Sequence, residues 1–311
     1  MTGFVAKKLV LSLLSVLGGV TLVFLLIHLI PGDPVENILG EQALLADKER
    51  LRHALRLDQP LHVQYGRFLG DIAGGTLGFS FVRRDSSVAS LVAARFPRTL
   101  ELATLAMLVA VALAVPLGVA AARRKGTAVD AGTMAFAMAG ISLPSFVLGP
   151  LLLLFFCRVL AWFPPPAADA GFRSAVLPAV TLGVSMAALL SRMTRAAMVE
   201  ALSEDYVTTA RAKGVPERLV VWRHAWRNAL IPVVTIVGLQ FGALLSGAII
   251  TERVFAWPGI GTLLIESIEK RDFPVVQGCM LVIAASYVAV NLATDVIYAV
   301  IDPRVRRRDE G

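Results

Sequence analysis

Residues able to carry chemistry are scattered along this chain. Where charged groups do gather, they form a basic polar segment between two apolar runs rather than a catalytic cluster. His28, His53, His62 and His224 stand far apart, and no HExxH or Cys-x-x-Cys spacing occurs, so no metal centre is expected. Cys157 and Cys279 both fall inside apolar runs and read as packing residues. No G-x-S-x-G elbow is present. Nor is there a G-x-x-x-x-G-K-S/T loop, so the chain cannot cradle ATP in the P-loop manner; neither an enzymatic role nor a cofactor of its own is expected. Asp295 is a carboxylate set in an apolar run, where it is costly and could relay protons, as a proton-coupled secondary transporter requires. The arginines after it make pairing with a neighbouring cation the expected role, and no inverted repeat or matched broken helices support the carrier reading.

The polar stretch 203–232, SEDYVTTARAKGVPERLVVWRHAWRNALIP, lies between two long apolar runs. Ser203 is the expected helix N-cap, with Glu204 and Asp205 placing negative charge in the first turn, where the helix dipole favours it. Arg211 and Lys213 fall in the last turn, and Gly214 is placed to end the helix. Pro216 then opens a second helix from its first position, with Glu217 behind it. The pattern predicts a helix, a tight break and a second helix, in a loop between membrane spans. Thr208, Thr209, Ala210 and Ala212 keep one side slim, which suits insertion into a groove on a partner protein. On composition alone, the plainer reading is a solvated hairpin on lipid headgroups.

The elements that must position this loop are membrane helices. Of 311 residues, 56% are hydrophobic and only 17% charged, as in an all-α polytopic membrane protein. Six spans are expected: 9–30, 99–121, 131–157 with kinks at Pro144 and Pro150, 175–190, 229–250 and 275–301. The first is long enough to cross a bilayer core of roughly 30 Å, which favours a retained helix over a cleaved signal peptide. Glu101 reads as an early-turn charge of the second span, Gln240 as a helix–helix hydrogen bond, and Gly238, Gly242 and Gly247 as points of close helix approach. Residues 31–96 are polar, with acids and bases nearly balanced, and read as a folded extracytoplasmic segment. It should hold two short amphipathic helices, one carrying Leu51 and Leu55, the other Leu61, Tyr65, Phe68 and Ile72, before a turn at Gly74-Gly75. A further helix at 260–270 is too short to span and should lie at the outer mouth, after the turn Trp257-Pro258-Gly259. The chain thus divides into 1–30, 31–96 and a five-helix core over 97–311.

Basic residues decide the orientation. The net charge of +7 might suggest nucleic acid, but the cations lie beside apolar spans, so membrane lipid is the expected partner and nucleic acid is not. Lys7-Lys8, Arg123 to Lys125, the 203–232 stretch and Arg304 to Arg308 all fall on one side. That side is the cytoplasm by the positive-inside rule, which puts both termini inside.

ARAKG followed by RHAWRNALIP resembles the coupling loop of ATP-binding-cassette (ABC) importer permeases, and more narrowly the dipeptide, oligopeptide and nickel branch. PGDPV, LDQPL, GISLPSF, VFAWPGIG, RDFPVVQ and DPRVR extend the resemblance over nearly the whole chain; Arg56 stands where many relatives have glycine. The resemblance implies a type I importer permease fold, with 199–228 as the coupling loop that docks on an ATPase subunit. Carried over by position, the docking residues are Glu204, Asp205, Tyr206, Thr209, Ala210, Arg211, Ala212, Lys213, Gly214 and Pro216, with His224, Arg227 and Asn228 bracing the loop. Thr208, Thr209 and Ala210 stand where the general motif has Glu, Ala, Ala, and Glu204 is taken as the replacing carboxylate. The resemblance also implies a bacterial inner-membrane location, a second homologous permease subunit and two cytoplasmic ATPases that carry ATP and magnesium. An extracytoplasmic solute-binding protein completes the set. Small peptides (di- or oligopeptides, or glutathione-like) are the implied cargo, with nickel or a metal chelate as the alternative.

Overall fold

The computed structural model describes residues 2–29, 33–40, 42–83, 85–166 and 171–301. Pro31 and Gly32 of the PGDPV motif, the Lys7 and Lys8 side chains, and Arg304 to Arg308 lie outside the described residues. In chain order the helices are α1 (Thr2–Leu29), α2 (Pro34–Leu39), α3 (Leu45–Leu55), α4 (Leu61–Ala73), α5 (Val88–Arg123), α6 (Ala128–Ser142), α7 (Ser145–Leu152), α8 (Phe172–Ser203), α9 (Asp205–Ala212), α10 (Glu217–Leu219), α11 (Trp226–Gly247), α12 (Ile249–Val254), α13 (Ile260–Glu269) and α14 (Phe273–Ile301). Two π-helical segments interleave them, Leu153–Val159 after α7 and Val220–Ala225 between α10 and α11. Among the described residues, extended pairing is limited to an isolated bridge between Phe79 and Ser87.

Four helical runs are long and apolar enough to cross a membrane: Val88–Arg123, Phe172–Ser203, Glu217–Ser246 and Phe273–Ile297. A fifth candidate is the pair Ala128–Ser142 and Ser145–Val159, bent by 97°. The sequence led us to expect one kinked span here. At Pro144 the kink is a sharp break: Leu143 is pushed out of helical geometry, to φ −95° and ψ 107°, by the proline ring behind it, and the chain restarts with that proline as N-cap. In α1 the described apolar stretch is Leu13–Leu25.

The chain forms two compact units, residues 1–99 with 258–288, and residues 100–257 with 289–311. In the first, Phe24 of α1 stacks on Phe68 at 5.8 Å and meets the edge of Tyr65 at 5.1 Å, so the expected apolar face of α4 lies on α1. His28 holds to the Phe24 carbonyl at 2.7 Å and packs on its ring, as an interfacial residue should. Two short helices were expected between 31 and 75, and there are three. The extra one, α2, is opened by Asp33, whose carboxylate accepts from Val35 N at 2.9 Å, with Pro34 in the first turn. Arg56 ends α3 at φ 56°, in the left-handed region that favours glycine. Asp272, 4% exposed, anchors the loop after α4 by accepting from Ser80 Oγ and from Phe81 N at 2.9 Å. Helix α13 follows the Trp257-Pro258-Gly259 turn as expected, its first amide donating to Thr99 Oγ1 at 2.8 Å.

The second unit is built around α8, which packs along α6 and α11. Its small residues Ala175, Ala179 and Ala187 join Leu102, Ala106 and Ala110 of α5 in one buried cluster. A Cβ added at Gly183 would fall 2.7 Å from Val109 Cβ and 2.8 Å from the Ala106 carbonyl, so α5 and α8 touch almost backbone to backbone. Gly238 likewise faces Thr294 of α14, and Gln240 bonds across helices by donating to the Met186 carbonyl at 3.3 Å. Two helices overrun their expected bounds. α5 begins at Val88 rather than 99, because Val88 and Val92, one turn apart, are both buried. Glu101 therefore lies inside the helix and not in its first turn. α8 continues past 190 to Ser203 because Ala197, Met198 and Ala201 keep a helical apolar face going.

Candidate coupling site

The break between α8 and α9 falls one residue later than the sequence suggests. Ser203 is not an N-cap: it is the last residue of α8, and its hydroxyl donates back to the Glu200 carbonyl at 2.7 Å. Glu204 takes the N-cap position of α9, with extended backbone and no side-chain cap bond. Asp205 then opens the helix, where its charge suits the dipole.

α9 is two-sided. Val207 and Ala210, three residues apart, sit in a buried cluster with Val119 of α5, Met198 and Ala201 of α8, and Val220 and Val221 of the π-helical segment. Ala210, expected to contact a partner, is only 7% exposed; its small side chain instead lets α9 press onto the helices beneath. Tyr206, Thr208, Thr209, Arg211, Ala212 and Lys213 are exposed, as is Glu204.

Gly214 ends the helix in a Schellman motif. At φ 75° its N–H reaches the Arg211 carbonyl at 2.9 Å, and the next N–H, from Val215, reaches Ala210 O at 3.2 Å. Val215 packs back on the apolar cluster, completing the motif. Pro216 stands as N-cap, with ψ 137°, and α10 starts at Glu217 rather than at the proline. Arg211 and Glu217 bridge the turn with two hydrogen bonds, 3.1 Å and 2.9 Å, which hold the guanidinium pKa above its usual value. Both ends of this pair are over 40% exposed, so its value is geometric more than energetic, about 0.5 kcal/mol.

The second helix runs into α11 through Val220–Ala225, where bonds span five residues instead of four; Trp226 N reaches Val221 O in this way. That spacing turns Val220 and Ala225 onto the same buried side as Ala229, which a regular α-helix would not do. Of the three expected bracing residues, Asn228 donates to Tyr206 Oη at 2.6 Å, tying the start of α11 to α9. His224 is half-buried and Arg227 exposed; among the described residues neither makes such a bond to the loop. Trp222, 44% exposed and edge-on to Trp226 at 5.8 Å, adds an apolar surface the sequence reading passed over.

A loop shaped in this way, between helices that cross a membrane, agrees with the match of residues 114–307 to the family described as binding-protein-dependent transport system inner membrane component, and of residues 1–103 to its N-terminal component. The chain belongs to this permease family. The permease is 44% identical over 306 residues to the glutathione transport system permease protein GsiC of Salmonella paratyphi A, covering 98% of this chain and 99% of that protein. It is 45% identical over 307 residues to GsiC of Escherichia coli K12, with the same coverage. It is an inner-membrane component of an ABC importer, working with a solute-binding protein and with ATPase subunits, and is not itself an ATPase.

The permease has a second brace that sequence reading missed. Asp130, at the start of α6, accepts from Arg195 Nη2 of α8 at 2.7 Å, is paired to the same guanidinium through Nε, and accepts from Gly126 N at 2.9 Å. The one signal was an Asp in the first turn after Arg123-Arg124-Lys125, and Arg195 looked like one more topology charge. This clamp ties the short loop after α5 to the stretch of α8 that leads to α9. Asp130→Ala should lower the melting temperature of the purified permease, and Arg195→Ala should lower it too. The two losses should not add, and additive losses would show that the pair does not act as a unit.

Proposed function

We propose that this permease imports glutathione or a closely similar small peptide into the cytoplasm, driven by ATP hydrolysis on partner subunits. The observation that carries the substrate is the similarity to glutathione transport permeases, 44–45% identical over 98% of the chain. On this reading the chain has six spans, with α1 and the bent α6–α7 pair completing the four long ones and both termini cytoplasmic. The arginine and lysine pattern of the short loops supports that orientation. A second homologous permease subunit, two ATPases holding ATP and magnesium, and an extracytoplasmic solute-binding protein complete the importer. ATP closes the ATPase pair, the grooves that hold α9 of each permease move, and the spans alternate the opening of the pathway.

The test is uptake of labelled glutathione in cells that lack other routes for it and express the permease with its partner subunits. Uptake that survives a proton ionophore while ATP is maintained, and stops when ATP is depleted, is expected. Collapse of uptake on adding ionophore with ATP intact would make Asp295 of α14 the centre of a proton-coupled carrier. Uptake of a nickel chelate in place of glutathione would move the permease to the other substrate class of its family.

A further inference from the structure

The first unit holds a cavity of about 330 Å³ that opens to solvent. That is the lower end of the size range for small-molecule sites, roughly 300–1,000 Å³. Its walls come from the outer end of α1, from α3 and α4, from the loop after α4 and from the start of α14. Part of the lining is already satisfied. Gln64 Nε2 donates to the Gln59 carbonyl at 2.8 Å, and its oxygen lies 3.3 Å from His28 Nε2.

The remaining polar groups are not. Arg56, at the end of α3, and Arg67, on α4, both line the cavity without an ion-pair partner among the described residues. Asp71, one turn on from Arg67 and half-buried, also lines it without one. Gln277 of α14 is 7% exposed, and its amide makes no hydrogen bond among the described residues. The Gln277 amide is not among the fully buried unsatisfied groups, so it opens onto the cavity, where a polar guest could bond to it in place of water. The lining is also held in place: Asp272 fixes Ser80 and Phe81 on one wall, and the Arg56 backbone is committed to a left-handed turn.

Two guanidiniums, one carboxylate and one free amide complement a particular kind of guest. The guanidiniums stay charged and take carboxylates in a fork-to-fork fashion. The Asp71 carboxylate takes an ammonium, and the Gln277 amide can both donate to and accept from a peptide bond. We propose that this cavity is a binding site for a small zwitterionic peptide with two carboxylates and one ammonium, the charge pattern of glutathione, and that it holds the cargo on the extracytoplasmic side. This rests on the glutathione reading above. A phosphate headgroup would satisfy the guanidiniums but would set a second anion against Asp71.

The test uses the importer with its permease and ATPase subunits in lipid nanodiscs, leaving out the solute-binding protein so that it contributes no binding. Titration with labelled glutathione should show saturable binding, weakened about tenfold by Arg67→Gln and by Gln277→Leu, as loss of a charge-assisted or buried hydrogen bond implies. Arg67 is exposed, so its variant reports even where Gln277→Leu fails to fold. Binding that both variants leave unchanged lies elsewhere and overturns the proposal. No binding by an importer that takes up glutathione in cells overturns it too, with the substrate reading intact. Variant-sensitive binding by an importer that takes up none keeps the site and sinks the substrate reading; absence of both sinks both. Displacement by glycerol phosphate but not by unlabelled peptide would make the occupant a lipid headgroup and overturn the proposal.

Discussion

Gly214→Val is expected to abolish most coupled uptake while the importer still hydrolyses ATP. A Cβ at Gly214 would meet no atom within 4 Å, so the substitution introduces no clash. Its whole effect comes through the backbone. At φ 75° an L-residue is disfavoured by about 1–2 kcal/mol, and a β-branched one by more. Relaxing that strain breaks the two bonds that close the turn, from Gly214 N and Val215 N, and lets Val215 leave the apolar cluster. α9 then loses its fixed angle to α10, and the docked geometry becomes a minor state, with uptake per ATP down about tenfold. Gly214→Asn separates this account from a loss of local contacts, because Asn tolerates the left-handed region and should recover much of the uptake. Full uptake by Gly214→Val would count against α9 as the coupling element.

The largest effect on stability is expected at the opposite kind of glycine. Gly183→Leu should leave little folded permease in the membrane. The Ala106 carbonyl and Val109 Cβ lie where the new side chain would begin, and a backbone oxygen cannot swing aside. α5 and α8 must separate along the cluster that joins Leu102, Ala106 and Ala110 to Ala179, Leu182 and Ala187. Overpacking of this kind costs about 3 kcal/mol or more. Gly132→Ala is the control: it is exposed on α6, nothing lies within 4 Å of its added Cβ, and the better helix former should be neutral or slightly stabilising. Equal melting temperatures for the Gly183 and Gly132 variants would show that α5 and α8 do not meet as closely as described.

Much of this fold was readable in the sequence where one local rule decides the outcome. Gly214 and the proline two residues later announce a helix end, and the 260–270 helix was identifiable because it is too short to span. The face of α4 followed from the spacing of Tyr65, Phe68 and Ile72. What was misread depends on contacts with distant residues or on backbone phase. The Ser203 cap failed because Met198 and Ala201 find burial partners on α5 and α9, which carries α8 onward. The kink expected at Pro144 was legible, but its size was not: Pro144 acts on Leu143 hard enough to set the two helices at 97°. Ala210 looked like a surface residue until the π-helical spacing brought Val220 and Val221 beneath it. The Asp130–Arg195 clamp joins residues 65 apart in sequence, a pairing no periodicity could reveal.

α8 has 32 residues in one unbroken helix, so its axis is about 48 Å long at 1.5 Å per residue. That exceeds a bilayer core of roughly 30 Å by several turns, and the excess ends against α9. It makes α8 a lever arm: a one-degree tilt about one end displaces the other by about 0.8 Å over that length. The Asp130–Arg195 pair grips this arm eight residues before its tip, a place suited to a fulcrum. On the proposed docking of α9, a small rotation of the ATPase groove would be carried along α8 and enlarged towards its far end, beyond Pro178, the proline inside the helix.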